Sequence, residues 1–97
     1  MITEIVTFAL RPGTTRQRAL ELFEKTVPRW RANTALVRKY YLFDGVQGRG
    51  GGVYLWSTLE DAKAAHDTAW CDQAEALYGD RPRFEYFETP LIVDNTD

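Results

Sequence analysis

The 97-residue chain has one cysteine, one histidine and one methionine. Cys71 alone permits no intrachain disulfide, and one Cys with one His falls short of the four N/S ligands of a usual structural zinc site. Basic runs are also missing. The net charge is −2 and the pI near 5.4, so the electrostatic footprint of a nucleic-acid binder is lacking. Long hydrophobic runs are absent too. The longest mostly apolar stretch, residues 2–10, is interrupted by Glu4. It is too short to span a membrane and lacks the charged start of a signal peptide. With the lone cysteine, this leads to the expectation of a protein of the reducing cytoplasm. No internal repeat or low-complexity linker is visible, and the length predicts one domain over residues 1–97.

What the chain has in excess is aromatic rings: three Trp, five Tyr and five Phe. A domain this small buries roughly 60–65% of its unfolded surface, and one modest core does not need that many rings. Their spacing predicts where they go. Residues 2–10 alternate as a strand, with Val6, Phe8 and Leu10 on one face. Thr14 with Gln17 three positions on predicts a capping box. The helix it opens carries Ala19, Leu22, Phe23, Thr26, Val27 and Trp30 as its buried stripe, ended or kinked at Pro28. Residues 35–43 and 51–56 read as two strands of a hairpin across a glycine-containing turn. Ser57 and Glu60 predict a second capping box, with helix running to Tyr78, a break near residues 67–72 and Gly79 as left-handed C-cap. Residues 84–93 read as a last strand. This order is the α+β, ferredoxin-like βαββαβ arrangement: a four-stranded antiparallel sheet with both helices on one face.

The helix-free face should then be polar, and it is not. Along residues 36–43 both alternating sets carry apolar side chains, as they do in the third and last strands. A monomer would expose a broad apolar sheet face. The expectation is a homodimer packed through the helix-free faces.

Several local strings carry a resemblance over nearly the whole chain. They are Val37-Arg38-Lys39-Tyr40-Tyr41-Leu42, Gly51-Gly52-Val53-Tyr54-Leu55-Trp56-Ser57, an Ala-rich helix with His66, Tyr78-Gly79, and the closing Pro90-Leu91-Ile92-Val93-Asp94-Asn95. The sequence resembles the dimeric α+β-barrel superfamily, in particular the YdhR-like mono-oxygenases. The resemblance implies an oxygenase using neither metal nor flavin. A deprotonated phenol or enol gives an electron to oxygen directly, and the protein supplies a dry aromatic pocket, a base or donor, and orientation. The implied substrate is a small aromatic or polyketide-like compound.

Against that chemistry His66 is the candidate catalytic group, since histidine titrates near neutral pH; it reads equally as a core histidine. Trp56 and Trp70 are candidate substrate-binding walls or plain core. Tyr41 and Tyr54, with Tyr40, could orient a phenolic substrate or lie at the dimer seam. Arg38 and Lys39 are adjacent on a strand, so one of them must point to a buried face. Arg38 is the candidate substrate-binding residue of the two, as an anion stabiliser, or else part of an interface ion pair with Glu85 or Glu88. Cys71 reads as a small packing residue. Two other functions stay open: haem binding or degradation with His66 as ligand, and a non-enzymatic ligand-binding or regulatory module.

Overall fold

The computed structural model describes residues 1–96. Eight elements follow in order: β1 (Ile2–Ala9), α1 (Arg16–Glu24), α2 (Val27–Ala32), β2 (Leu36–Asp44), β3 (Arg49–Trp56), α3 (Leu59–Ala65), α4 (Thr68–Tyr78) and β4 (Arg83–Glu88). The strands form one sheet in the order β2-β3-β1-β4, and every neighbouring pair is antiparallel. This is the ferredoxin-like α+β architecture, with the central strands provided by β1 and β3.

Each helical region is broken in two, for reasons visible in the residues. Residue 28 was expected to end or kink the first helix. Instead α1 stops at Glu24, and Pro28 lies in the first turn of α2, where a missing amide donor costs nothing. The second break falls where it was expected. His66 caps α3, and the Asp67 side chain accepts from the Trp70 backbone N–H at 2.8 Å to open α4. Gly79, at φ 89°, closes α4, a conformation that favours glycine. Both expected capping boxes slip by one residue. Thr15, not Thr14, accepts from the Arg18 N–H, and Thr58, not Ser57, accepts from the Asp61 N–H. Thr14 is occupied by the preceding turn, where its hydroxyl donates to the Arg11 carbonyl at 2.6 Å.

The last strand is shorter than expected. It ends at Glu88, two residues before Pro90, which has no N–H to give a ladder. Residues 92–95 lie instead against the helix-free face, beside Arg38, Tyr40, Val53 and Leu55. A bulge between Leu36 and Arg38 shifts the β2 register. Leu36 therefore packs into the core while Val37 is pushed out and exposed.

Register fixes which side chains meet. Lys39 pairs with Tyr54, Tyr54 with Glu4, and Glu4 with Tyr86. These four residues make one polar row across the helix-covered face of an otherwise apolar sheet. The core above the sheet divides into two clusters. One holds Phe8, Leu22, Phe23 and Tyr78; the other holds Val6, Trp30, Tyr54 and Trp56. Tyr41 and Trp70 pack against both.

Candidate active site

A cavity of about 310 Å³ lies at the junction of the two clusters, within the range of small-molecule sites. Its lining comes from the α1–α2 junction, β1, β2, β3 and α4. Gly52 makes room beside it. A Cβ on Gly52 would stand 3.0 Å from the Tyr54 ring and 3.1 Å from Lys39 Cε. A Cβ on Gly51 would collide with the Val6 carbonyl oxygen. The missing side chain at Gly52 leaves room for Lys39 and Tyr54, and that at Gly51 lets β3 lie close against β1.

Lys39 is the centre of the site. Its Nζ donates to the Tyr54 hydroxyl at 2.6 Å. It also stands 4.0, 4.3 and 4.5 Å from the ring centroids of Tyr41, Tyr54 and Trp30. The faces of Tyr41 and Trp30 stabilise the ammonium by cation–π attraction, and Tyr54 meets it through its hydroxyl, but these contacts do not make up for its lost hydration. Burial dominates and lowers the Lys39 pKa to about 7. The Glu4 charge opposes that shift and the Arg29 charge adds to it. Near neutrality the amine is therefore divided between its charged and free-base forms. Tyr54 behaves oppositely: burial first, then the Glu4 charge, raise it well above the usual phenol range. It remains a hydroxyl donor. Tyr41 is raised by burial too, against the bond it shares with Thr26 Oγ1 at 2.7 Å.

Of the expected substrate-binding residues, Tyr41, Tyr54 and Trp70 line the cavity. Trp56 does not. It is fully buried behind Tyr54, and its indole N–H donates to Glu4 Oε1 at 2.9 Å. Arg38 does not either. Strand alternation turns it to the helix-free face, where it meets Asp94 at 3.3 Å and Tyr40. The pair expected with Glu85 or Glu88 does not form. Both carboxylates belong to exposed residues, and the acid that acts on Lys39 is Glu4.

His66 is also displaced from its expected role. Its side chain has no exposed surface, and its Nδ1 lies 2.9 Å from Glu4 Oε1. The contact is not an aligned hydrogen bond, and both imidazole nitrogens and Glu4 Oε2 lack a hydrogen-bond partner among the described residues. The ring is wedged among Tyr54, Trp70 and Phe84, at centroid distances of 4.6, 4.4 and 5.4 Å. It does not reach the cavity, so it presents no face to a substrate or to a haem iron. Among the described residues no three His, Cys, Asp or Glu side chains converge to hold a metal ion. Cys71 is buried, with its thiol pushed up chiefly by burial, which makes it a packing residue rather than a nucleophile.

Glu4 and Trp30 were underread in the sequence. Glu4 was seen only as an interruption of an apolar run, and Trp30 only as packing. A carboxylate in mid-strand, on the face shared with Val6 and Phe8, was the available signal.

The sequence matches no family model and no curated protein. Solved structures do match. A protein of unknown function from Nitrosomonas europaea, NE2512, superposes with a TM-score of 0.75 at 15% identity, covering 99% of this chain and 95% of that one. SnoaB, a cofactor-independent oxygenase from Streptomyces nogalater, gives 0.67 at 14% identity, covering 95% of each chain. An antibiotic biosynthesis monooxygenase gives 0.70 at 11%, covering 92% and 98%. The chain thus shares the four-stranded, ferredoxin-like α+β fold of these structures. No described helix is long and apolar enough to cross a membrane.

Proposed function

We propose that the protein is a cofactor-independent monooxygenase in which Lys39 is the base. The observation that carries the reading is a lysine with a pKa of about 7 at the wall of an aromatic cavity. The free amine takes the proton of a bound phenol or enol, and Tyr54 holds it in place by hydrogen bonding. The resulting anion passes an electron to dioxygen, and recombination forms a C–O bond at the activated ring carbon. The hydroperoxide then loses water to leave a carbonyl. For a CH₂ centre the balance is R₂CH₂ + O₂ → R₂C=O + H₂O, with all electrons supplied by the substrate. The apolar walls keep water from the anion, and a base matched to neutral pH is near its optimum. The fold shared with SnoaB supports this reading over a purely regulatory one.

The test is oxygen uptake with anthrone, whose product is anthraquinone. Uptake should be one O₂ per anthrone, unaffected by chelator, with a rate rising through about pH 7. Lys39→Met should lower the rate about 100-fold or more, and Arg38→Met should not. No uptake above background from the intact protein would overturn the reading.

The working form is a homodimer in a reducing compartment. Tyr40, Leu42, Phe87 and Ile92 are exposed by 55, 37, 50 and 50%, apolar surface that a second copy would cover. Sedimentation should give twice the chain mass at micromolar concentration, and Leu42→Glu with Phe87→Glu should give the single mass.

A further inference from the structure

Charge around the cavity is distributed differently from charge in the chain. The chain has 14 acidic and 12 basic residues. Yet the lining includes Lys25, Arg29 and Lys39 and no Asp or Glu. None of the three pairs with a carboxylate within 4 Å among the described residues. Their depths differ. Lys39 is largely buried beneath the rings, whereas Lys25 and Arg29 are exposed at the α1–α2 break. Arg29 is held there: its Nη1 donates to Gln73 Oε1 on α4 at 3.1 Å, and its guanidinium lies 5.7 Å from the Trp30 ring. That hydrogen bond joins the two helices that flank the cavity on its solvent side.

Glu4 opposes the Arg29 charge at Lys39 from behind the cavity, but at the mouth Lys25 and Arg29 have no carboxylate partner among the described residues, and like charges so gathered are unfavourable. A bound anion between them would relieve this. Arg29 has a planar donor fork suited to a carboxylate. Trp30, Tyr41 and Trp70 offer rings to a flat apolar body. From these placements we infer that the cavity takes a hydroxylated aromatic carboxylic acid. The carboxylate is held at the mouth by Arg29 and Lys25, and the reacting hydroxyl end is directed inward to Lys39. This rests on the oxygenase reading of the same cavity and adds the charge and orientation of the substrate.

The test separates the two. Binding of 2-naphthoate and of its neutral isostere 2-naphthamide is measured by quenching of tryptophan fluorescence at pH 7; neither probe has the hydroxyl that reacts. The acid should bind about tenfold or more tightly, and the preference should shrink with added salt. In the double variant Lys25→Gln, Arg29→Gln the two probes should bind within about twofold of each other. Both residues are exposed, and circular dichroism checks that the variant folds. Equal binding to the intact protein, binding of neither probe, or an acid preference that survives in the double variant would overturn the inference. Acid-selective binding in a protein that consumes no oxygen would uphold the anion site and overturn the oxygenase.

Discussion

Arg38 and Lys39 are adjacent on one strand, carry the same formal charge, and end in different chemistry. Alternation sends Arg38 to the helix-free face, half exposed beside Asp94, with its charge held firmly by Tyr40 and that acid. Lys39 turns under the helices, where rings replace water and the amine becomes able to lose its proton near neutrality. A cation becomes a base here through its burial, and one residue of register decides which one is buried. The same contrast extends over the whole sheet. The helix-covered face holds a row of interacting polar groups, whereas the other face holds apolar side chains and exposed pairs.

The largest break in this comparison should come from Glu4, the buried anion of the covered face. Glu4→Ala takes the acceptor from the Trp56 indole and leaves His66 without its charged neighbour. Orphaned buried polar groups of this kind cost about 3–5 kcal/mol together. Glu4→Gln keeps an oxygen for Trp56 and should cost about 1–2 kcal/mol. Urea denaturation at pH 7 measures both. A loss for Glu4→Ala no larger than that for the exposed Glu24→Ala would show that the cluster contributes nothing to stability.

A smaller effect tests Lys39 through linkage. In the folded chain the amine gives up its proton near pH 7, but in the unfolded chain only near the ordinary lysine value of about 10.4. Between these values the unfolded state binds more protons, so stability must rise with pH. The penalty of the buried charge is complete below pH 7 and relieved above it. Denaturation midpoints should climb from pH 7 to about 9.5, before the tyrosines of the unfolded chain begin to ionise near 10. Lys39→Met should abolish the climb. An unchanged slope in that variant would return Lys39 to the status of an ordinary solvated lysine.

Much of this was legible in the chain, and the misreadings share a cause. Apart from the end of β4, which stops at Glu88 rather than at residue 93, periodicity and capping residues placed the strand and helix ends close to where they lie, because strands of period two and helices bounded by Thr, Asp and Gly carry local signals. The fold class followed from element order. The cavity's Tyr41, Tyr54 and Trp70 were within reach for the same reason. Arg38 was chosen as a site residue where Lys39 belongs, because facing depends on tertiary packing and a bulge at Val37 alters the count. His66 stood out by being the only histidine, a compositional signal that says nothing of burial. Glu4 becomes meaningful only when register sets it between Tyr54 and Tyr86; those residues are 50 and 82 positions away in sequence.

The smallest effect sharpens the contrast from the exposed side. Arg38 and Asp94 meet at 3.3 Å with side chains 50% and 38% exposed. Water and salt screen such a pair, and holding two mobile side chains together offsets most of the attraction. In the single-chain background of Leu42→Glu with Phe87→Glu, Arg38→Met should therefore leave the urea midpoint and its pH dependence unchanged, while Lys39→Met changes the pH dependence. The two substitutions remove one positive charge each from adjacent positions, so net charge cannot account for a difference between them. If Arg38→Met abolished the rise in stability above pH 7 and Lys39→Met did not, the register that assigns Lys39 to the covered face would be wrong. If neither did, the titrating group would be neither of these two cations.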